Sequence, residues 1–307
     1  MAQYARALDP GALKDKVIVL TGGANGIGAA LVEYACEHGA YVCFGDLAAE
    51  AGEAIAKKLN GSNPSPPRAV FVQTDVTSYD SVLKLFDTAM DTYGRIDHAI
   101  AGAGITEIGN VFDPALDMES IRKPPTTKVL DVNLNGCIYV ARIASVYLRQ
   151  NRPTGNKSDR SITLISSVAG FKESPGLFIY QASKHGVLGL MRSLRLYLYG
   201  PEESHPHNIR INAICPWMTQ TGMVRGVQDA WYAAGLPVNT PLDVGKVIAA
   251  VMGDDGLNGA SLYVEGGRAW EIERNLDRLE PQWLGEEASR SLAKGQAVLG
   301  SGMDWTK

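Results

Sequence analysis

The chain lacks the features that would place it in a membrane or on nucleic acid. The apolar runs in its 307 residues are far shorter than the ~20 residues that a membrane-spanning helix needs. Its net charge is −4, so no basic excess indicates a nucleic-acid surface. The first residues, MAQYARALDPGALKDK, lack the basic and apolar segments of a secretory signal. We therefore predict a cytoplasmic protein with neither a membrane nor a nucleic acid as partner.

Cysteine is also scarce. The four cysteines are scattered along the chain without a close pair, at Cys36, Cys43, Cys137 and Cys215. Such spacing gives no disulfide framework and no metal-ligand motif, and the histidines supply none either. We expect reduced thiols in the core and no metal site.

What the chain does contain is a regular alternation of strand-length and helix-length segments. Apolar content is 45% and charged content 20%, which is ordinary for a globular protein. The strand candidates are 16–20, 41–45, 69–73, 96–101, 161–166, 209–214 and 261–264. This pattern predicts an α/β fold with a doubly wound parallel sheet (a Rossmann fold), about seven strands and helices on both faces. We expect residues 1–267 to form one Rossmann-type catalytic domain.

A glycine-rich turn, TGGANGIG, follows the first predicted strand at residues 21–28 and precedes a predicted helix. Gly22, Gly26 and Gly28 would let the backbone approach a pyrophosphate, and the helix N-terminus would offer it free N–H groups. The second predicted strand ends in Asp46, whose carboxylate would bind a ribose diol and repel a 2′-phosphate. The turn therefore predicts a dinucleotide site that prefers NAD to NADP.

A tyrosine and a lysine lie four residues apart in YQASK, at Tyr180 and Lys184, and so share one face of a helix. A cation held beside a phenol favours the phenolate, which suits proton exchange near neutral pH. Ser167 lies 13 residues before Tyr180. Its neighbour Ser166 is an equal candidate by residue type, and only this spacing favours Ser167. These residues predict an acid/base centre.

The motifs together resemble the short-chain dehydrogenase/reductase family, in its single-domain branch, over about residues 14–267. The resemblance implies a catalytic tetrad of Asn133, Ser167, Tyr180 and Lys184. In that tetrad Asn133 would hold a water, Ser167 the substrate oxygen, and Lys184 the nicotinamide ribose. It also implies further NAD contacts, at Asn25, Ile27, Asp75, Val76, Ala101, Gly102, Pro216, Thr219 and Thr221, besides Gly22, Gly26, Gly28, Asp46, Tyr180 and Lys184. Two positions depart from the family pattern: Ala101 replaces the usual Asn, and Trp217 replaces the usual Gly after Pro216.

Residues 217–242 are expected to form a mobile flap over the substrate. This segment is rich in large apolar groups, and further aromatic residues lie between Ser167 and Tyr180. Apolar walls favour a bulky lipophilic or aromatic secondary alcohol or ketone as substrate. The predicted pocket residues are Phe171, Phe178, Trp217, Met218, Met223 and Trp231, although many could instead pack on the core or at a subunit contact.

Residues 268–307 lie beyond the family core. A helical pattern begins there and is expected to end at Pro281, and two tryptophans, Trp283 and Trp305, suggest packing on the same or a neighbouring subunit. The tail resembles that of fungal dehydrogenases of polyketide and related secondary pathways. We expect a homodimer or homotetramer.

Two other function classes stay open at this point. One is a cofactor-binding sensor without catalysis, against which the complete tetrad argues. The other is a protein of the same fold recruited for a non-redox step such as a cyclisation.

Overall fold

A single mixed sheet organises the molecule. The computed structural model describes residues 3–5, 9, 11–61, 65–152, 159–200, 207–224 and 226–299. In this part of the chain the strands are β1 Gln3–Tyr4, β2 Val17–Thr21, β3 Tyr41–Asp46, β4 Ala69–Gln73, β5 His98–Ala101, β6 Ser161–Ile165, β7 Arg210–Pro216, β8 Ser261–Glu265 and β9 Arg268–Glu271. The strand order is β1-β9-β8-β7-β6-β5-β2-β3-β4. Strands β2 to β8 are mutually parallel, which confirms the predicted α/β fold with seven parallel strands.

The side chains of β2 show why these apolar runs become central strands. All five of its residues are buried. Val17 and Val19 face one hydrophobic cluster, and Ile18 and Leu20 face another. Because successive side chains of a strand point to opposite faces, a continuous apolar run can be satisfied only with helices on both sides.

The helices supply those two layers. They are α1 Gly26–Glu37, α2 Ala49–Leu59, α3 Tyr79–Tyr93, α4 Lys128–Leu130, α5 Gly136–Tyr147, α6 Phe178–Leu194, α7 Gln228–Ala233, α8 Pro241–Met252, α9 Glu273–Leu284 and α10 Glu286–Leu299. Helices α1, α2 and α8 cover one face of the sheet, and α3, α5 and α6 cover the other. Helix α3 is capped by Ser78, and α8 begins with a capping box formed by Thr240 and Asp243.

The C-terminal segment begins as part of the sheet. Residues 268–271, assigned to the extension by sequence, form β9, which pairs antiparallel with β8 and with β1. Helix α9 continues past Pro281 to Leu284, so the expectation that it ends at Pro281 is wrong. A proline late in a helix removes one backbone hydrogen bond, which neighbouring turns can tolerate. Trp283 is 64% exposed, and Trp305 lies outside the described residues.

One helical stretch, Lys128–Tyr147, reaches 20 residues and is apolar enough to cross a membrane by length and composition. Its 18-residue window is 44% buried. Val129, Val140, Ile143 and Ala144 are buried in the protein interior. We interpret this stretch as a core helix.

Candidate active site

A cavity of about 1740 Å³ opens along the carboxyl ends of the parallel strands. Ligands of doubly wound folds bind at this edge, where β5 and β3 flank β2 on opposite sides. The cavity brings together most of the site residues predicted from sequence. They are Gly22, Asn25, Gly26, Ile27, Gly28, Asp46, Asp75, Val76, Gly102, Ser167, Tyr180, Lys184, Pro216, Trp217, Met218, Thr219, Thr221, Met223 and Trp231.

The backbone of the glycine turn is packed too closely to hold side chains at Gly22 and Gly28. A Cβ on Gly28 would overlap the carbonyl oxygen of Gly22, and a Cβ on Gly22 would lie 2.7 Å from the Cα of Ala103. Gly22 and Gly26 also have φ angles of 77° and 52°, which favour glycine. Helix α1 starts at Gly26, and its N-cap Asn25 makes no side-chain cap hydrogen bond. The first N–H groups of α1 therefore stay available to an anion such as a pyrophosphate.

Asp46 marks the end of β3 beside this turn. Its Oδ2 accepts a hydrogen bond from the Ala24 amide at 3.0 Å, and its Oδ1 accepts one from the Ala48 amide at 3.0 Å. A carboxylate has about four acceptor positions, so two more remain for a ligand diol. Its chain neighbour Leu47 lines the cavity with an exposed apolar side chain. This corner is anionic and has no basic side chain within the described cavity lining.

Two residues after β4 border the same end of the cavity. Asp75 Oδ1 accepts hydrogen bonds from the amide and the hydroxyl of Thr77, at 2.9 and 2.7 Å. Val76 is 7% exposed and packs against Gly136 at the start of α5. A Cβ on Gly136 would lie 3.0 Å from Val76 Cγ2, so close packing fixes this wall.

Tyr180 and Lys184, the predicted acid/base pair, lie in the first turns of α6. Tyr180 is 9% exposed and Lys184 is 4% exposed, and both line the cavity. The Lys184 ammonium lies 5.6 Å from the centroid of the Tyr180 ring. It donates a hydrogen bond to the Ile165 carbonyl at 2.9 Å. The i, i+4 spacing therefore places a buried cation beside a phenol, with two ammonium protons still free to donate.

Hydrogen bonding separates the two adjacent serines. The Ser166 hydroxyl donates to the Lys184 carbonyl at 2.9 Å and thereby ties β6 to α6. The Ser167 hydroxyl accepts from the Ala169 amide at 3.2 Å, so its own proton is available to a ligand. Burial raises the pKa of the nearby Cys215 thiol to about 12, which makes that thiol inert as a nucleophile.

Asn133 lies one layer behind the cavity, fully buried in a π-helical turn at Asp131–Asn135. Its Oδ1 accepts from the Ile105 amide at 2.8 Å, and its Nδ2 donates to the Ile105 carbonyl at 2.9 Å. The second Nδ2 proton is donated to Ser183 Oγ at 3.2 Å. The amide group is thus occupied in fixing the loop after β5, and its side chain does not line the cavity. Single π turns in α-helices are frequent at functional sites.

The predicted flap, residues 217–242, borders the other end of the cavity. A Cβ on Gly26 would lie 3.1 Å from Cγ2 of Thr221, so this part of the segment lies directly over the glycine turn. Thr219 is buried and donates to the Trp217 carbonyl at 2.9 Å. The indoles of Trp217 and Trp231 meet edge to face with centroids 4.9 Å apart. Most of the flap's other large apolar groups are exposed, among them Met223, Val227, Tyr232 and Leu236.

Besides Asn133, three predicted site residues lie away from the described cavity lining. Phe171 packs edge to face on Tyr263, with centroids 6.1 Å apart. Phe178 contacts Phe112 in the same way at 4.9 Å. Ala101 is 2% exposed inside β5, where Gly102 after it reaches the cavity instead. Position in the chain between two site residues therefore does not place a side chain in the site.

Sequence reasoning missed three residues that hold the site together. Ile105 anchors Asn133, Glu107 accepts a hydrogen bond from the Tyr180 amide at 2.7 Å, and Ser183 donates to the Tyr180 carbonyl at 2.6 Å. Ser183 stands inside the YQASK motif, so its position gave a signal. Ile105 and Glu107 act through a loop conformation that no spacing rule predicts.

Comparison with known proteins agrees with this geometry. The family model for short chain dehydrogenases matches residues 16–231. The chain therefore belongs to the short-chain dehydrogenase family of oxidoreductases, as its motifs predict. Members of this family typically bind a nicotinamide cofactor, and the glycine turn fits one.

Two curated relatives and one solved structure extend the comparison. Short-chain dehydrogenase/reductase ascJ of Acremonium egyptiacum is 36% identical over 270 residues, 87% of this chain and 84% of the relative. The 5'-hydroxyaverantin dehydrogenase of Dothistroma septosporum is 31% identical over 303 residues, 91% and 93% of the two chains. A short-chain type dehydrogenase/reductase from Mycobacterium marinum aligns with a TM-score of 0.68 at 23% identity, over 83% of this chain and 96% of that one. The last likeness concerns the fold alone.

Proposed function

We propose that the protein transfers hydride between a bulky, lipophilic secondary alcohol or ketone and NAD. The observation that carries this proposal is the convergence of Ser167, Tyr180 and Lys184 on the cavity that the glycine turn borders. An acid/base pair and a dinucleotide cradle in one cavity are what alcohol oxidation requires. The nicotinamide ring, when bound, accepts or supplies the hydride.

The side chains divide the remaining work. Tyr180 takes the alcohol proton during oxidation and returns it during reduction. Ser167 donates its free hydroxyl proton to the substrate oxygen and stabilises the charge that develops there. Lys184 stabilises the negative charge on Tyr180 and donates to ribose hydroxyls with its two free protons. Asn133 holds the π turn and the loop after β5 in place through Ile105.

The preference for NAD is supported by the charge around Asp46. A 2′-phosphate would lie against this carboxylate, and the flanking residues Ala24, Leu47 and Ala48 offer it no cation. Within the described cavity lining the basic side chains are Lys128 and Lys184, and arginine is absent. Repulsion without compensation disfavours NADP.

The substrate class is supported by the walls of the flap end. Trp217, Met218, Met223 and Trp231 line it with aromatic and flexible apolar surface. Met218 is 7% exposed, so this part of the wall is already packed. Such a wall favours a ligand of matching bulk and low polarity.

We further propose that the enzyme works in the cytoplasm and forms a homodimer or homotetramer. Exposed apolar groups on α5, such as Ile138 and Val146, support a subunit contact.

Turnover with both nicotinamide cofactors tests this proposal. The wild type should oxidise polycyclic secondary alcohols with NAD and much more slowly with NADP. Asp46→Ala should narrow that gap by ~10-fold or more, because it removes both the repulsion and the diol acceptor. A matched Glu50→Ala change on α2 should leave the ratio as it is. Faster turnover with NADP than with NAD in the wild type would contradict the cofactor assignment.

A further inference from the structure

The catalytic helix α6 begins without a side-chain cap of its own. Its N-cap residue, Leu177, has an apolar side chain, and the first backbone bond into the helix runs from the Gln181 amide to the Leu177 carbonyl at 2.8 Å. The amide groups before Gln181 therefore have no partner within the helix. Tyr180 carries one of these amides, so the proposed acid/base residue lies where a helix is prone to fray.

Glu107 satisfies that amide from a distant part of the chain. Its Oε2 accepts the Tyr180 N–H at 2.7 Å, across 73 residues of sequence. A carboxylate at a helix N-terminus makes a charge-assisted hydrogen bond and interacts favourably with the helix dipole. The other oxygen, Oε1, is buried and finds no hydrogen-bond partner among the described residues. Burying half a carboxylate unpaired costs free energy, so this placement is not explained by stability alone.

The carbonyl of Tyr180 is held from the opposite direction. Ser183 Oγ donates to it at 2.6 Å, and Asn133 Nδ2 donates to Ser183 Oγ at 3.2 Å. Asn133 in turn binds both backbone groups of Ile105. Ile105 and Glu107 lie two residues apart on the loop that follows β5. One loop thus fixes both backbone groups of the residue that carries the phenol, one directly and one through two side chains.

We propose that Glu107 is a positioning residue for Tyr180, an inference that rests on the proposed acid/base role of that tyrosine. Its carboxylate sets the start of α6 against the loop after β5 and thereby fixes where the phenol lies relative to Ser167 and Lys184. A displacement of the phenol of about 1 Å is enough to slow proton transfer by up to ~100-fold. Cofactor affinity should not depend on this contact, because Glu107 does not border the described part of the cavity.

Three substitutions of Glu107 distinguish the effect of its side-chain length from the effect of its charge. Glu107→Gln keeps the length and an acceptor oxygen, Glu107→Asp keeps the charge but shortens the side chain, and Glu107→Ala removes both. Ser78→Ala is the matched control, because Ser78 caps α3 by accepting the Ser81 amide at 3.3 Å and lies outside the described cavity lining. Melting temperature should fall slightly in the control as in Glu107→Ala, since both lose a helix cap.

The two readouts are hydrogen exchange at the Tyr180 amide and the split between kcat and KM for NAD. In Glu107→Ala and Glu107→Asp we expect exchange at least ~10-fold faster and kcat at least ~10-fold lower, with KM for NAD unchanged. Glu107→Gln should restore both values, and Ser78→Ala should change neither.

Unchanged exchange in Glu107→Ala would overturn the contact itself. Faster exchange together with a wild-type kcat in Glu107→Ala would overturn the positioning role of Glu107. A low kcat in Glu107→Gln would overturn it as well. The exchange readout needs no turnover, so it stands apart from the proposed function. If Tyr180→Phe kept full activity, the proposed function would fail even where Glu107 protects the amide.

Discussion

At the scale of single residues, two indoles line the end of the cavity that we propose for the substrate. Trp217 and Trp231 meet at an interplanar angle of 80°, and Trp231 Nε1 donates to the Pro237 carbonyl at 2.9 Å. That hydrogen bond satisfies the polar edge of the indole and leaves its apolar face toward the cavity. The Trp217 departure from the family's usual Gly thus has a partner, since it supports the second indole.

Removing Trp231 should therefore weaken binding of large substrates selectively. Trp231→Ala should raise KM for a polycyclic alcohol by ~10-fold, since the half-buried indole would lose part of the about 1.5–3 kcal/mol that full burial of such a side chain contributes. KM for NAD should stay within ~2-fold. Tyr232→Ala is the control, because Tyr232 follows on the same helix, is 45% exposed and lies outside the described cavity lining. Equal effects on small polar alcohols and on polycyclic ones would refute selection for lipophilic bulk.

Sequence predicts single residues well where a backbone rule constrains them. Gly28 is required because any Cβ would overlap the Gly22 carbonyl. The spacing of the glycines in the sequence is enough to predict this position. The role of Glu107 cannot be predicted from sequence, because it depends on the path of a loop that brings residues 107 and 180 together. Phe178 was placed in the pocket by chain proximity alone, and its ring packs on Phe112 instead.

At the scale of elements, the central strands bury a row of polar side chains in register. His98 on β5 pairs with Ser161 on β6, which pairs with Arg210 on β7. The His98 Nδ1 lies 2.8 Å from Ser161 Oγ. Burial, mainly, lowers the pKa of His98 to about 4 from its ordinary 6.5. The folded protein therefore keeps this ring neutral at a pH where the unfolded chain protonates it.

This difference predicts acid sensitivity. Below pH 6.5 His98 is protonated in the unfolded state, whereas in the folded state it stays neutral down to about pH 4. The free energy of unfolding therefore falls as pH falls from 6.5 to about 4. The loss from this group should reach about 3 kcal/mol, at 1.36 kcal/mol per pKa unit. Urea unfolding at several pH values should show a shallower decline in His98→Gln than in the wild type. Parallel profiles would mean that His98 does not titrate this way.

The strands that sequence missed have a common physical reason. β1 has two residues and β9 has four, and both lie at the sheet edge, where burial is partial. A short edge strand carries too little apolar pattern to be recognised, whereas β2 through β8 are buried parallel strands with clear runs. Helix α9 passes Pro281 although proline lacks an amide proton, and the Gly285 amide still donates to the Pro281 carbonyl at 3.0 Å.

At the scale of the whole molecule, the parallel sheet assembles the site. Asp46, Ser167 and Pro216 follow or end different strands and are far apart in sequence, yet all line one cavity. Parallel strands place their carboxyl ends at one edge, so the site could be located from the strand pattern before any contact was known. The packing of the flap and the loop after β5 could not, because both depend on irregular backbone.

The central claim is that this cavity performs proton-coupled hydride transfer through Tyr180. The most direct measurement is the rate of NADH formation from NAD and a polycyclic secondary alcohol, in the wild type and in Tyr180→Phe. The phenylalanine keeps the ring and removes the hydroxyl, so kcat should fall at least ~100-fold while NAD still binds. A kcat of Tyr180→Phe within a few-fold of the wild-type kcat, on a substrate that the wild type turns over, would contradict this claim.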